Sequence, residues 1–246
     1  MAQPVHFTAT VEHVDRHDQD VCSYRMKSDK RLPRFVPGQF IHLAIDPYDP
    51  SSFWPTSRAF SVANSVADRR TIRLTISRQG AFTNRILNEI VPGSVIWGKG
   101  PYGEFSLYET RRDRTAVLIA GGTGVTPFAS YMDAAVAQGA LPARQAILHY
   151  GARTAELLVY RALADRCAAA APDFKARYYA QHVDSNEDPN IERGMLDIDR
   201  IVSETPNPSE AVFYISGPRA MIHAFQERLT GTHGIPADQV LVDAWD

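Results

Sequence analysis

Cysteine is scarce in this chain, and the scarcity excludes several chemistries. Only Cys22 and Cys167 occur, far apart in 246 residues. Two thiols cannot supply the four ligands of an iron–sulfur cluster or a structural zinc site. They cannot build a disulfide framework either, and that suits a reducing, cytoplasmic compartment. No apolar run approaches the length needed to span a membrane. Met1 to His6 shows no basic segment followed by an apolar one, so a signal peptide is not expected. Charge of one sign is also missing. The formal net charge is −2, so there is no electrostatic case for nucleic acid or an anionic membrane as partner. No internal repeat, low-complexity segment or Ser/His/Asp arrangement stands out. His13 and His17 stand four apart, but in a strand-and-loop region. They read as solvated residues, and no metal site is expected. His149, inside an apolar run, reads as a satisfied core residue.

What is present is an ordinary globular composition, 44% hydrophobic and 22% charged, long enough for two domains. The first 105 or so residues read as β. Segments 5–14 and 20–27 are short mixed strands, and 39–45 follows the Pro37-Gly38 turn. Thr71 to Ser77 alternates polar and apolar at every step, the pattern of a strand with one wet face. A strand at 94–97 follows Pro92-Gly93. The one helix expected here covers about 83–91. Short strands with regular turns predict a small antiparallel β-barrel or sandwich. The charged stretch Glu109 to Arg114 is the expected linker. From residue 111, strands and helices alternate. Strands are expected at 116–120, 145–151, 174–182, 211–215 and 240–242, with helices near 126–138, 155–170 and 195–203 and another opened by Pro218. Repeated βα units predict a doubly wound parallel sheet, which binds ligands at the carboxyl ends of its strands.

The richest stretch sits at such an end. Val117 to Ala120 is an apolar strand, Gly121-Gly122-Thr123-Gly124 is a glycine turn, and Thr126-Pro127 opens a helix. Glycines let a ligand approach the backbone, and the first amides of a helix favour an anion. Proline fits the first helical turn. A tight strand-to-helix connection explains the same letters, so this motif alone is weak. In Arg58-Ala59-Phe60-Ser61, Arg58 and Phe60 share one face of an extended chain. They can offer a guanidinium to a phosphate and a ring to a flat heterocycle. A surface arginine beside a core phenylalanine is the plainer alternative. Gly80-Ala81-Phe82-Thr83 leads into the helix, either as a second phosphate site or as an ordinary start capped by Thr83. Gly98 to Phe105 carries three glycines and a proline. It reads as a close approach to a ligand or as the loop closing the barrel.

Taken in order, these segments resemble the ferredoxin–NADP reductase-like flavoproteins. Arg58-Ala59-Phe60-Ser61 looks like the family's Arg-x-Tyr-Ser, and Gly80 to Thr83 resembles its pyrophosphate-binding helix start. Gly100 to Phe105 matches Gly-Pro-x-Gly-x-Phe. Gly121 to Pro127 is similar to the nicotinamide motif almost letter for letter. Tyr150 to Thr154, Ser216-Gly217-Pro218 with Met221, and Asp243-Ala244-Trp245 follow in register.

The resemblance implies a β-barrel domain, 1–110, that binds FAD rather than FMN, and an α/β domain, 111–246, that binds NAD(P)H. In it Arg58 binds phosphate, Phe60 packs on the isoalloxazine, and Ser61 and Thr126 border the flavin. Ala59, Thr75, Ile76, Ser77, Gly80, Ala81, Phe82, Thr83 and Trp245 complete the flavin site. Gly121, Gly122, Thr123, Gly124, Pro127, Gly151, Ala152, Arg153, Asp184, Gly217, Pro218 and Met221 line the dinucleotide site. Ser61, Thr126, Ser216 and Asp243 are the implied catalytic residues. Three departures stand out: Phe60 for tyrosine, Ser216 for cysteine and Asp243 for glutamate. Asp184 favours NADH over NADPH, because an acid hydrogen-bonds a ribose 2′-hydroxyl, although Arg153 and Arg193 could meet a 2′-phosphate. The implied reaction sends hydride from NAD(P)H to FAD, and electrons on to a ferredoxin, flavodoxin or oxygenase component. The alternatives are reduction of free flavin or a quinone, and service as a relay subunit in a larger redox complex.

Overall fold

In the computed structural model, residues 3–65, 67–107, 113–182 and 188–243 are described. They divide into two compact units, 1–106 and 107–246. Most of the expected linker lies outside the described residues.

The first unit is a six-stranded antiparallel sheet of β1 (Val5–Arg16), β2 (Val21–Ser28), β3 (Phe40–Ala44), β4 (Ser57–Ser61), β5 (Thr71–Ser77) and β6 (Val95–Tyr102). The order β4-β3-β6-β1-β2-β5 curls it into a nearly closed barrel. Alternation decides which side chains point inward. Ile72, Leu74 and Ile76 of β5 meet Phe7, Tyr24, Met26 and Ile41 in one core. The seam between edge strands β4 and β5 is stitched by the chain that follows β4. The Ala63 amide donates to the Arg73 carbonyl at 2.9 Å. The buried Asn64 side chain accepts from the Arg73 amide at 2.8 Å and donates to the Thr71 carbonyl at 2.9 Å. Helix α1 (Ala81–Glu89) covers the barrel with Phe82, Ile86 and Leu87. Two of its late carbonyls are satisfied from the barrel wall, Ile86 by the Tyr24 hydroxyl and Leu87 by Arg16.

The second unit is a six-stranded parallel sheet: β7 (Thr115–Gly121), β8 (Gln145–Thr154), β9 (Phe174–His182), β10 (Ile191–Arg193), β11 (Val212–Ser216) and β12 (Val240–Asp243). The order is β10-β9-β8-β7-β11-β12. The chain fills one side of β7 first and then the other, so the topological switch lies between β7 and β11. Helices α4 (Ile198–Glu204) and α5 (Arg219–Glu227) cover one face, packing Ile198, Ile201 and Ile222 on Val117, Ile119, Phe213 and Ile215. Helices α2 (Thr126–Gln138) and α3 (Arg161–Ala170) pack on each other.

Several expectations need correction. Of the segment Gly98 to Phe105, Gly98 to Tyr102 is strand and not a loop closing the barrel; it forms the last five residues of β6. A Cβ on Gly98 would stand 2.0 Å from the Phe7 ring, so an aromatic ring of β1 fills the space a side chain would need. The helix expected from residue 155 begins at Arg161, after turns through Thr154 to Leu158. The strand expected at 145–151 runs on to Thr154, so Tyr150 to Thr154 lies within β8. The three-residue β10 is an addition to the expected strands. His17 is half-buried, its Nε2 2.8 Å from the Ser23 hydroxyl, and so is not simply solvated.

Candidate functional site

In the first unit, β4, β5 and the start of α1 converge. Helix α1 begins two residues earlier than expected. Gly80 is its N-cap and Thr83 lies in its first turn. The Thr83 hydroxyl accepts from the amides of Gln79 (2.8 Å) and Gly80 (3.1 Å) and donates to the Gly80 carbonyl (3.1 Å). That pins the turn while the amides of Ala81, Phe82 and Thr83, which start a helix, have no intrahelical acceptor. No acid stands in that turn. The Arg58 guanidinium lies 5.5 Å from the centre of the Phe82 ring and is exposed. It donates to the neighbouring Ser57 carbonyl at 2.8 Å. Nearby arginines are committed elsewhere: Arg85 forks onto Asp46 and pairs with Glu89, and Arg78 pairs with Asp20. Two stretches 22 residues apart in sequence thus present one guanidinium and a helix amino end together, an arrangement that suits a phosphate.

The remaining flavin-side candidates fare unevenly. Phe60 is half-buried against the barrel core and Ser61 is buried. Ala59 is half-buried on the same strand. Ile76 is a core residue, and the Thr75 hydroxyl lies 2.7 Å from the Ser23 hydroxyl, so these two side chains face the protein. Ser77 is half-buried and takes a hydrogen bond from Gln79. Trp245 lies outside the described residues.

In the second unit the candidates gather at the carboxyl ends of β7, β11 and β12. After Gly121 a 3-10 turn, Gly122–Val125, runs into α2, with Pro127 in its first turn. The Thr126 hydroxyl donates to the Thr123 carbonyl at 2.9 Å, which ties the turn to the helix. The glycines serve packing between turns. A Cβ on Gly124 would stand 2.4 Å from the Ser216 carbonyl oxygen, and one on Gly121 would stand 2.9 Å from both Pro218 and Met221. Gly217 has φ +154°, a region closed to most side chains. Gly122 has open space beyond it, so this part of the turn faces outward. The strand register sets Ser216 opposite Asp243. The buried Ser216 hydroxyl donates to Asp243 Oδ2 at 3.1 Å. Each residue was singled out from the sequence, but their pairing across parallel strands carries no sequence signal, because it depends on register. Ala152 is buried and Arg153 exposed at the end of β8, where Gly151 fits against Leu196. Met221 packs into the sheet-facing core. Asp184 lies outside the described residues.

His149 is remote from chemistry. It is buried, stacks on Tyr179 and shares a 3.1 Å hydrogen bond with the Tyr179 hydroxyl. Burial, with a smaller contribution from Arg177, pushes its pKa down to about 4. Among the described residues no group of three or more His, Cys, Asp or Glu side chains could hold a metal ion. None of their helices is long and apolar enough to cross a membrane.

Comparison with known proteins agrees with both units. Residues 8–107 match the oxidoreductase FAD-binding domain and residues 118–227 the oxidoreductase NAD-binding domain. The ferredoxin–NAD(+) reductase component of the alkene monooxygenase system of Xanthobacter autotrophicus is 31% identical over 85% of this chain and 61% of its own length. Tetrachlorobenzoquinone reductase of Sphingobium chlorophenolicum is 28% identical over 94% of this chain and 65% of its own. The crystal structure of an Amycolatopsis cytochrome P450 reductase shares the fold, with a TM-score of 0.82 at 24% identity, over 99% of this chain and 70% of that one. The chain spans between half and two thirds of the length of such curated relatives.

Proposed function

The chain belongs to the ferredoxin reductase-like flavoproteins, and from that premise we propose that it is an FAD-dependent NAD(P)H oxidoreductase serving a separate electron acceptor. The observation that carries this reading is the meeting of Arg58 with the first turn of α1. That site takes an anion, and it lies on the strand that also carries Phe60 and Ser61. FAD, when bound, supplies the redox chemistry, taking hydride from the nicotinamide and giving electrons up singly or as a pair. The protein's part is binding and orientation. Arg58 and the α1 amides hold the pyrophosphate. The pinned Thr83 turn keeps those amides aimed. The Ser216 hydroxyl, its proton given to Asp243, and the Asp243 carboxylate place acceptor oxygens beside the glycine turn, where they can orient the polar nicotinamide head.

NADH is the preferred donor in this reading, with Asp184 as its basis. Asp184→Arg should move the ratio of specificity constants towards NADPH, and an unchanged ratio would sink that assignment. For the acceptor, resemblance to an oxygenase-system reductase component supports a protein carrier. A second reading, reduction of a quinone-like small molecule, has support from the relative named tetrachlorobenzoquinone reductase. Anaerobic titration with NADH and NADPH, followed in the flavin spectrum, tests the core of the proposal. Bleaching is expected. A protein that retains flavin but is bleached by neither dinucleotide acts as a relay subunit, and one that cannot be loaded with FAD or FMN overturns the reading.

A further inference from the structure

Arg58 and the amino end of α1 belong to separate elements, and one connection is tied to both. It joins β3 to β4 across residues 45–56. Near its start, the Asp46 carboxylate receives both arms of the Arg85 guanidinium, at 2.8 and 3.0 Å, and Arg85 lies in the middle of α1. Near its end, the Trp54 indole N–H donates to the Ser57 hydroxyl at 3.0 Å. Ser57 opens β4, the end strand in the sheet order, and its carbonyl accepts from the Arg58 guanidinium at 2.8 Å. The connection is stiff in between. Pro47, Pro50 and Pro55 each fix a φ angle. The Asp49 carboxylate accepts from both the amide and the hydroxyl of Ser51, each at 2.8 Å. The Trp54 ring stacks on His6 of β1, with centroids 5.0 Å apart and planes 19° from parallel, and tilts against Tyr48 at 4.9 Å. His6 and Tyr48 complete the cluster, 5.1 Å apart. The indole is therefore anchored to the barrel wall while its N–H holds the start of β4.

We propose that Trp54 is a positioning residue of the anion site, aiming Arg58 at the amino end of α1 through the Ser57 hydroxyl. The inference rests on the reductase reading above, in which that site holds the flavin pyrophosphate. An exposed arginine has many rotamers, and freezing one of them weakens binding when the ligand arrives. Here the guanidinium already lies over the Phe82 ring and is bonded to the Ser57 carbonyl. That hold is only as firm as the strand end beneath it. Ser57 pairs with Ala44 of β3, and the indole bond fixes its side chain as well. The Asp46–Arg85 pair ties the same connection to the helix, so β4 and α1 are braced through one segment. Packing alone would be served by any ring at position 54. The N–H directed at Ser57 is what tryptophan adds.

The test titrates the full, flavin-free chain with FAD. Trp54→Phe keeps a ring and removes the N–H, and Ser57→Ala removes the acceptor and leaves the backbone carbonyl. Each should raise the FAD Kd about three- to tenfold, the worth of one hydrogen bond. Both changes break the same bond, so the double variant should bind no worse than the weaker single. In an Arg58→Ala background, Trp54→Phe should alter the Kd less than about twofold, because the residue it acts through is gone. Ser57→Thr keeps the hydroxyl and should bind FAD like wild type. In the ligand-free chain, the NMR order parameter of the Arg58 side-chain Nε–H should fall in Trp54→Phe. Should Trp54→Phe disturb the ring cluster, Ser57→Ala carries the same comparisons. A loss that persists undiminished in the Arg58→Ala background would overturn the proposal, assigning Trp54 to the fold or to direct flavin contact. So would an FAD Kd that neither single variant changes. If wild type itself binds no FAD, the reductase reading fails, and the Arg58 order parameter in the ligand-free chain still decides the positioning.

Discussion

The two helix starts that the sequence marks with glycine are built on opposite terms. At Gly80 the turn is open: nothing lies within 4 Å of where a Cβ would stand, and the backbone is extended at φ −177°, which any residue adopts. The turn is held instead by the Thr83 hydroxyl, and the guanidinium beside it, Arg58, comes from β4. At Gly121 to Thr126 the turn is closed. Gly121 and Gly124 are needed because the turn after β11 occupies the space beside them, while Gly122 faces open space. The glycines of the two helix starts therefore differ in what the protein itself demands of them: Gly121 and Gly124 make room for a neighbouring turn, and Gly80 makes room for no other part of the chain.

The largest effect should come from filling the closed turn. Gly124→Ala would drive a methyl into the Ser216 carbonyl, which is backbone and cannot swing aside. A loss of about 3 kcal/mol or more is expected, read from the urea midpoint of the second unit. It should disturb the Ser216–Asp243 pair as well, since the same strand end moves. Unchanged stability would break the contrast by showing that the turn has slack.

Histidines repeat the contrast in burial. His17, in the barrel unit, is half-buried, whereas His149 is enclosed within the parallel sheet with its pKa pushed down to about 4. The unfolded chain protonates that imidazole near its ordinary 6.5, and the folded protein does not until about pH 4. The unfolded state therefore binds more protons in that window, and stability falls as pH drops from 6.5 to 4. The full loss is on the order of 3 kcal/mol. His149→Phe should flatten that part of the pH–stability profile measured in urea. A profile as steep as wild type would assign the loss to other groups.

On the open side, Arg58→Ala should weaken flavin binding without unfolding the barrel, because Arg58 is exposed and touches the core only at the rim, over the Phe82 ring. A charge-assisted hydrogen bond is worth about 1.5–3 kcal/mol, so the flavin Kd should rise roughly ten- to a hundredfold. Spectroscopic titration of the apoprotein measures it. Retained affinity would move the phosphate contact away from β4.

The architecture was legible because its signals are periodic. Thr71 to Ser77 alternates at every step, and the βα repeats after residue 115 announce a parallel sheet. What could not be read was register and contact. Gly98 to Tyr102 looked like a loop because glycine and proline dominate it. Only the Phe7 ring lying across Gly98 explains why a strand there needs no side chain. The partnership of Ser216 with Asp243 depends on two strands meeting 27 residues apart. The seam residue Asn64 looks like any loop asparagine until its partners on β5, the Thr71 carbonyl and the Arg73 amide, are seen. Thr83 was read as a possible cap. It does cap, from inside the first turn, because its hydroxyl reaches back to the amides of Gln79 and Gly80.

The smallest effect is expected at the open helix start. Gly80→Ala places a methyl in open space on a backbone that alanine adopts without strain. Stability should change by less than about 0.5 kcal/mol, as for a surface site. The Thr83 hydrogen bonds use only the Gly80 backbone and survive the change. If the helix start binds phosphate through its amides and Arg58 alone, flavin Kd should stay within about twofold of wild type. A loss as large as that of Arg58→Ala, with stability intact, would mean that the ligand itself comes close to the Gly80 α-carbon. The open turn would then be reserved for the flavin as tightly as the closed turn is reserved for Ser216.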